Sequence, residues 1–527
     1  MLTAICYRWR HCLERERMGQ NGQTAAKTFL ADPETHGLTG SVERIDTHIS
    51  HLFLIGARAF KLKRAAELPY LDFSTPEQRL AACEKELRLN RRTAPELYLA
   101  LRRITTGDDG PEFDGTGPLL DAVVEMRRFD QDTIFDRMAQ KGTLTSQNLD
   151  ELACEITALH AAAEVDAAAD GVENIAGVLK INVAGFEPSD VFTPDEVSRL
   201  TAAFEASLEA YAARLKTRAQ AGQVRRCHGD LHLRNICQHA GRVRLFDCLE
   251  FNDALATVDV LYDLAFLAMD LWHRGLCTEA SGVVNRYFDT GSQEDGFVLM
   301  PFFTALRATV RAHVTATQTM SAIGDRAALA EEARAYFDLA ERLLKPQAAR
   351  LVAIGGLSGS GKSTLAEALA PHLGVAPGAR VISSDRTRKA MFNTAPDQAL
   401  PAKAYSPDVS AQVYADMAER AQWLLADGVS VIADAVHDRV EDRARIAAAA
   451  SPARVPFSGL WLQTDPDQLQ VRLKTRDPGA SDANADVLAK QLAGAPTITE
   501  WQSISTTGSL ADSLERALTL LNRAAAR

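Results

Sequence analysis

The stretch Gly356-Leu357-Ser358-Gly359-Ser360-Gly361-Lys362-Ser363 fits the pattern GxxxxGK[ST]. The apolar run Leu351–Gly355 before it predicts a strand, and Thr364–Leu373 after it predicts a helix. Glycines let backbone N–H groups wrap an anion, and the helix adds the positive end of its dipole. We therefore expect a phosphate-binding loop, with Lys362 on the β- and γ-phosphates and the Ser363 hydroxyl on Mg²⁺. The predicted phosphate-binding residues are Gly356, Ser358, Gly359, Ser360, Gly361, Lys362, Ser363 and Thr364.

Strand and helix patterns alternate from this loop to the end of the chain, which predicts a parallel sheet with crossover helices. The predicted strands are 351–355, 380–383, 429–434, 457–463 and 503–506. Two carboxylates follow strands at the edge where ligands bind in such sheets. Asp385 could accept the proton of a substrate hydroxyl or could cap a helix, and Asp434 is expected at the second Mg²⁺-linked position.

Arg472 and Arg476 are four residues apart and would project from one face of a helix. They precede a stretch rich in Gly, Ser and Asp, residues 477–482. The pair suggests a lid that closes on phosphates, and a solvated charged face is the alternative.

Residues 350–527 resemble the small P-loop kinase family that includes zeta-toxin-like, chloramphenicol phosphotransferase-like, gluconate kinase-like and polynucleotide 5′-kinase-like proteins. The segment GLSGSGKST, followed by SSDRTRK, carries the resemblance. In that family the matching aspartate deprotonates the acceptor hydroxyl, and the resemblance implies this role for Asp385.

A second motif lies in the first half of the chain. Cys227–Asn235 contains HxDLxxxN, and Leu245-Phe246-Asp247 follows twelve residues later. This is the spacing of the protein-kinase catalytic loop and its metal-binding aspartate. The chemistry needs one carboxylate to accept the hydroxyl proton, and an amide and a second carboxylate to hold Mg²⁺.

The variants HGD and Asp247-Cys248 resemble the aminoglycoside phosphotransferase branch of the kinase fold, over residues 40–345. That resemblance implies Asp230 as the catalytic base, Asn235 and Asp247 as Mg²⁺ ligands, and Asp263 as a brace of the catalytic loop. HGDLHLRN and FDCLEFND, joined to a P-loop kinase, resemble bacterial fusions of an aminoglycoside phosphotransferase-like domain with a P-loop ATPase.

The kinase fold also needs a strand lysine for the phosphates, paired with a helix glutamate. Lys61 and Lys63 face one side of a predicted strand, with Lys63 preferred and Glu86 the expected partner. No GxGxxG precedes Lys61, and the segment 46–50 takes that place. This absence raises the alternative of a pseudokinase.

The length of 527 residues exceeds what one hydrophobic core supports. We predict a poorly ordered extension over 1–23 and a bilobal α+β kinase-like domain over 24–345. Its small lobe would span about 40–130 and its helical lobe 131–345. An α/β three-layer P-loop domain would follow over 346–527. The strands predicted in the small lobe are 42–45, 51–54, 57–63, 97–104 and 122–129, with a helix over 75–91.

The composition restricts the class of protein. No apolar run reaches the length of a membrane span, the N-terminus lacks a signal-peptide pattern, and the eight cysteines form no CxxC pair. These features favour a cytoplasmic protein. A net charge of −11 argues against nucleic acid as a partner.

The expected cofactors are ATP and Mg²⁺, and the expected substrate is a small molecule with a hydroxyl group. The first hypothesis is a phosphotransferase with two nucleotide sites. A P-loop kinase regulated by a ligand-binding pseudokinase is the second. A polynucleotide 5′-kinase or a nucleotide-sugar kinase toxin is the third, and oligomeric state is left open.

Overall fold

The structure is a computed structural model that describes residues 23–37, 40–47, 49–68, 71–291, 293–320, 325–395, 398–475, 481–494 and 498–525. Their chain forms two compact units, each drawn from two stretches of sequence. One contains the residues up to Leu267 together with Val310–Arg334, and the other contains Ala268–Thr309 together with Ala335–Arg527. The sequence division predicted at residue 346 stays a prediction. The compact units differ from it because residues 268–309 group with the P-loop region.

The N-terminal part of the first unit contains an antiparallel sheet in the order β1-β2-β3-β8-β6-β7. Its strands, with the short pair β4 and β5, are β1 (Glu43–Asp46), β2 (Ser50–Ile55), β3 (Arg58–Lys63), β4 (Glu67–Leu68), β5 (Leu71–Asp72), β6 (Tyr98–Gly107), β7 (Gly110–Phe113) and β8 (Leu119–Arg127). Helix α1 (Thr24–Ala31) precedes the sheet, and α2 (Pro76–Asn90) packs on it. Thr75 and Gln78 form a capping box that starts α2 at Pro76. Residues 1–22 of the predicted extension lie outside the described residues, and Gln23 is buried.

The rest of the kinase-like region contains helices, the hairpin β10–β11 and the antiparallel pair of β9 with β12. The helices are α3 (Phe135–Gln140), α4 (Ser146–Ala162), α5 (Gly171–Phe186), α6 (Pro194–Gln220), α7 (Asp253–Ala256), α8 (Val260–His273), α9 (Cys277–Gly291), α10 (Met300–Gln318) and α11 (Arg326–Leu343). The strands are β9 (Val224–Arg226), β10 (Ile236–His239), β11 (Arg242–Leu245) and β12 (Thr257–Asp259). The strands β10 and β11 pair antiparallel and form a hairpin. The predicted catalytic loop lies directly before this hairpin in the chain, and Asp247 follows it.

The P-loop region contains a five-stranded parallel sheet in the order β14-β15-β13-β16-β17. Its strands are β13 (Leu351–Gly356), β14 (Arg380–Ser383), β15 (Val431–Asp434), β16 (Phe457–Gln463) and β17 (Gln502–Ser505). The helices are α12 (Lys362–Leu369), α13 (Ser384–Met391), α14 (Pro407–Ala426), α15 (Val440–Ala448), α16 (Pro466–Thr475), α17 (Ala485–Ala493) and α18 (Leu510–Ala525). One core joins apolar side chains of β13 and β15 to Leu365 of α12 and Leu521 of α18.

The fold class predicted from the sequence is confirmed: a kinase-like domain precedes an α/β P-loop domain with a parallel sheet. All five strands predicted after residue 350 are present within two residues of their expected bounds. The sequence did not predict β7 or the pair β4 and β5. Among the described residues, no helix is both long and apolar enough to cross a bilayer.

Candidate functional site

Asp263 on α8 binds the backbone of the predicted catalytic loop in the first unit. The N–H groups of His228 and Gly229 donate to its two carboxylate oxygens at 3.1 and 2.8 Å. His160 contacts the same carboxylate at 3.1 Å. Asp263 is fully buried, so these contacts fix the backbone that leads into Asp230. The bracing geometry implied by the sequence resemblance is present.

Asp230 and Asn235 lie together in this loop. The Asn235 amide donates to both the Asp230 carbonyl and its Oδ2, each at 2.9 Å. His232 approaches the same Oδ2 at 3.3 Å. The Asp230 side chain remains 40% exposed, so an acceptor hydroxyl can reach it. The contact therefore places Asn235, the predicted metal ligand, beside Asp230, the predicted base.

Asp247 occupies a strained backbone position at the end of the β11 hairpin. Its φ is 62°, in the left-handed region that non-glycine residues seldom occupy. Its N–H donates to the Tyr98 hydroxyl at 3.0 Å, and the next N–H, of Cys248, donates to Asn90 Oδ1 at 2.8 Å. These two bonds hold Asp247 in a conformation that aims its carboxylate at Lys61 of β3, with which it forms an ion pair.

Both candidate lysines contact Glu86 of α2, as their alternation on β3 predicts. Lys61 donates to Glu86 at 2.8 Å and also pairs with Asp247. Lys63 is fully buried and pairs with Glu86 and with Glu250. Burial alone would lower the pKa of Lys61, but the Asp247 and Glu86 carboxylates raise it well above its usual value. Of the two lysines, Lys61 alone contacts both Glu86 and Asp247, the candidate metal ligand. Lys63 is instead enclosed by the carboxylates of Glu86 and Glu250.

The Glu86 carboxylate is held ionised inside the protein. Burial raises its pKa, but Lys61 and Lys63 more than offset this and bring it to about 2. Burial raises the pKa of Glu250. Glu250 was not among the residues predicted from the sequence, although its position three residues after Asp247, the predicted metal ligand, was a usable signal.

The turn between β1 and β2 replaces the glycine-rich loop of a protein kinase. The Thr47 N–H donates to the Ser50 carbonyl at 2.9 Å, and the Ser50 N–H donates to Thr47 Oγ1 at 3.0 Å. These two N–H groups are therefore used inside the turn. A glycine-rich loop would instead offer such groups to phosphates.

The second candidate site is a cavity of about 460 Å³ at the carboxyl edge of the parallel sheet. The strands β13, β14 and β15 are neighbours in this part of the sheet, so the residues that follow them converge. The predicted residues that line the cavity are Ser358, Gly359, Gly361, Lys362, Ser363, Thr364, Asp385, Asp434 and Arg472. Gly356 ends β13, and Ser360 is buried behind the loop.

A hydrogen bond joins the predicted phosphate-binding loop to Asp434, the predicted metal-linked aspartate. Ser363 Oγ donates to Asp434 Oδ2 at 2.7 Å, and Lys362 Nζ donates to the Leu357 carbonyl at 3.1 Å. Burial raises the pKa of Asp434 to about 6, and Asp385 adds to this while Lys362 and Ser363 act against it. Asp385 is the second residue of α13, and Ser383 holds the N-cap position, so Asp385 is not the cap.

The predicted lid is described only in part. Arg472 lines the cavity and donates to the Thr506 carbonyl at 2.6 Å. Arg476 lies outside the described residues. After that gap, Asp482 accepts from the Tyr405 hydroxyl at 2.7 Å and pairs with Lys389 of α13 at 3.2 Å.

Several residues of the cavity were not found from the sequence. Arg388 lies three residues after Asp385, on the same face of α13, and that spacing was a usable signal. Gln491 accepts a hydrogen bond from the Ser358 N–H of the phosphate loop at 2.9 Å. Tyr405 and Gln491 come from distant elements, and only the tertiary structure places them here.

Known protein families match both the kinase-like region and the P-loop region of the chain. Residues 73–302 match the phosphotransferase enzyme family, and residues 351–497 match a family described as AAA domain. The uncharacterized protein Rv2004c of Mycobacterium tuberculosis is 30% identical over 456 residues, which cover 84% of this chain and 88% of the relative. The chain belongs to this family. Mb2027c of Mycobacterium bovis matches with the same identity and coverage.

In this chain, an aminoglycoside phosphotransferase-like domain precedes a P-loop kinase domain, and the chain is an ATP-dependent kinase. Among solved structures, it is similar to a choline/ethanolamine kinase family protein from Mesorhizobium loti. That match has 16% identity and a TM-score of 0.39, and it covers 62% of this chain and 95% of the other. The APS kinase CysC of Mycobacterium tuberculosis matches with 22% identity and a TM-score of 0.25, covering 34% of this chain and 99% of the other.

Proposed function

We propose that the protein transfers the γ-phosphate of ATP to a hydroxyl group of a small molecule, and that it has two nucleotide sites. One observation carries the proposal: in each unit, a lysine and a carboxylate able to accept a proton lie beside candidate Mg²⁺ ligands. In the first unit Lys61 pairs with Asp247, and Asn235 donates to Asp230. In the second unit Asp385, Lys362 and Asp434 line one cavity.

The corresponding residues would have the same roles at both sites. The lysine binds phosphate oxygens, and the oxygen ligands hold Mg²⁺, which neutralises phosphate charge when bound. Asp385, or Asp230 in the first unit, accepts the proton of the acceptor hydroxyl. The acceptor oxygen then bonds to the γ-phosphorus. The bond from that phosphorus to the bridging oxygen breaks, and its electron pair leaves with ADP.

Assignment of the strand lysine follows from the contacts of β3. We assign the phosphate role to Lys61 rather than to the initially preferred Lys63, because Lys61 reaches both Glu86 and Asp247. Lys63 has a structural role in this assignment, since its ammonium is enclosed by Glu86 and Glu250.

The test uses the full chain, a library of hydroxyl-bearing metabolites and [γ-³²P]ATP. Wild type is compared with Asp230→Asn, Lys362→Ala and the double variant. We expect each single variant to lose transfer to one set of acceptors by at least a hundredfold and to retain the other. A double variant that still transfers phosphate at the wild-type rate would overturn the proposal.

The second candidate function is a P-loop kinase whose kinase-like unit binds a ligand without catalysis. The β1–β2 turn favours it, because the N–H groups of Thr47 and Ser50 are not available to phosphates. In this case Lys362→Ala alone would abolish all transfer, and Asp230→Asn would leave transfer unchanged.

A further inference from the structure

The strand that leads to Asp385 lies at the edge of the parallel sheet, where backbone groups lack a neighbouring strand. The side chain of Asn285, on α9, takes the place of that neighbour. Its Nδ2 donates to the Ala379 carbonyl at 3.2 Å, and its Oδ1 accepts from the Val381 N–H at 2.8 Å. The N–H of Arg380, between them, points the other way to the Ser430 carbonyl at 2.9 Å. One side-chain amide therefore pairs with two backbone groups on the open side of β14.

The Arg380 side chain is fully buried in the same contact. Its guanidinium pairs with Asp289 of α9 and with Glu294, each at 2.8 Å. It also donates to Asn285 Oδ1 at 3.1 Å. A buried guanidinium is tolerated only with such partners, because its desolvation is costly. The contact is thus specific and not a chance surface pairing.

The two carboxylates also reach residues beyond the strand. Asp289 pairs at 3.4 Å with Arg386, the residue directly after Asp385. Glu294 pairs at 3.2 Å with Arg420 of α14. The contacts therefore hold the chain on both sides of Asp385, at Arg380 and Val381 before it and at Arg386 after it. All these residues belong to one compact unit.

We infer that Asn285, Asp289 and Glu294, here called the 285–294 clamp, are positioning residues that fix Asp385 within the P-loop cavity. The inference rests on the proposed function of that cavity. The clamp residues fall within the stretch matched by the phosphotransferase enzyme family, residues 73–302, yet they serve the P-loop site. A displaced general base slows proton transfer steeply, since about 1 Å of misplacement costs about a hundredfold in rate. Nucleotide contacts come from the phosphate loop, so nucleotide binding would not change.

The first experiment tests the clamp without reference to activity. Hydrogen exchange of the full chain is compared between wild type, Asn285→Ala and the control Asp270→Asn. Asp270 of α8 is also buried and belongs to the same unit, but its carboxylate pairs with Arg274, the residue directly after that helix. We expect at least tenfold faster exchange over residues 379–388 in Asn285→Ala only. Equal exchange in all three proteins would overturn the inference.

A second variant keeps this test usable where Asn285→Ala fails to fold. Asn285→Asp retains the acceptor for the Val381 N–H and loses the donor to the Ala379 carbonyl. It should raise exchange over the same peptide by a smaller factor. Protection equal to wild type in this variant would also contradict the inference.

The second experiment asks whether the clamp acts through Asp385. The readout is phosphate release to water from MgATP by the full chain, with Asp230→Asn present to silence the first unit. We expect Asp289→Asn to lower kcat at least tenfold, with KM for ATP changed less than twofold. In an Asp385→Asn background the same change should have no further effect, because the positioned group is already absent.

The outcomes separate this inference from the proposed function. An equal loss from Asp289→Asn in both backgrounds would overturn the positioning role while leaving the P-loop site intact. Turnover that does not respond to Lys362→Ala would instead contradict the proposed function of the cavity. The exchange measurement would then still decide whether the clamp holds β14.

Discussion

At the scale of single residues, buried charges determine which side chains remain free for chemistry. Lys61, Lys63, Glu86 and Glu250 form one buried network in the kinase-like unit. Within it, only Lys61 also reaches the partly exposed Asp247. Neighbouring lysines on one strand face are therefore not equivalent, because their carboxylate partners differ.

The first prediction separates the two lysines. Lys63→Met should lower the free energy of unfolding by about 3–5 kcal/mol, because it leaves Glu250 buried without its cation. Lys61→Met should cost less stability, since Lys63 still pairs with Glu86, but should lower ATP turnover at least a hundredfold. Urea unfolding and ATP turnover are measured with Lys362→Ala present, so that only the first unit is read. The opposite pattern would reverse the assignment.

The second prediction concerns the pH dependence of the P-loop site. Burial raises the pKa of Asp434 to about 6, and only the ionised carboxylate can support Mg²⁺ binding. Mg²⁺-dependent nucleotide affinity should therefore be full above about pH 7 and fall about tenfold per pH unit below 6. Fluorescent-nucleotide titrations between pH 5 and 8 measure this, with Asp247→Asn present to silence the first unit.

The control for that prediction is Asp434→Asn, which should bind more weakly at pH 8 and lose the extra pH dependence. Because the folded pKa is raised, the stability contribution of Asp434 without metal has the opposite sign. It is fully present below about pH 4 and is lost as the pH rises through about 6. An unchanged pH profile in Asp434→Asn would contradict the role of this carboxylate.

At the scale of elements, loops between strand and helix create the second site. The phosphate loop joins β13 to α12, and the tight turn needs glycines in the left-handed region. Gly359 has a φ of 84°, and a Cβ there would lie 2.9 Å from the Leu469 carbonyl. The β1–β2 turn has no glycine in its sequence and differs from this loop. The N–H groups of Thr47 and Ser50 are hydrogen-bonded to oxygen atoms of the turn itself.

The third prediction tests the phosphate loop with two glycines of similar conformation. Gly428 follows α14 with a φ of 81°, and a Cβ there would meet nothing within 4 Å. Gly359→Ala and Gly428→Ala should both lower the free energy of unfolding by about 1 kcal/mol, because alanine is disfavoured in the left-handed region. Only Gly359→Ala should also weaken nucleotide binding, by at least tenfold. Calorimetric titration of the full chain measures this, and equal binding by both variants would contradict the loop assignment.

At the scale of the whole molecule, the chain order of the domains does not match the compact units. Residues 268–309 precede the P-loop in sequence and form one unit with it. The Asn285 side chain is one contact that joins residues 268–309 to the P-loop region, since it pairs with the open edge of β14. A sequence boundary marks where a pattern changes, whereas a compact unit is defined by contacts.

The fourth prediction concerns nucleotide binding by the whole chain. A ligand at about a hundred times its Kd stabilises the folded state by about 2.7 kcal/mol per site. MgATP should therefore raise the unfolding temperature of wild type, and Asp247→Asn and Lys362→Ala should each remove part of the shift. Thermal unfolding of both variants and of the double variant measures this. Loss of the whole shift in Lys362→Ala alone would show that the first unit does not bind ATP.

The sequence by itself determined the fold class, both motifs and the residues that follow the strands. It could do so because GxxxxGK[ST] and HxDLxxxN place local backbone and chemistry at fixed spacing. The cavity confirms that Lys362, Asp385 and Asp434 come together, as expected where parallel strands end at one edge.

Only the tertiary structure distinguished the contacts of Lys61 from those of Lys63, brought Gln491 and Tyr405 to the cavity, and placed Asn285 against β14. These outcomes depend on pairings between residues 25 to more than 180 positions apart in the chain, such as Lys61 with Glu86 and with Asp247. Periodicity and local spacing carry no record of such pairings. Burial, which makes an unpaired charge or amide costly, selects them only when the chain has folded.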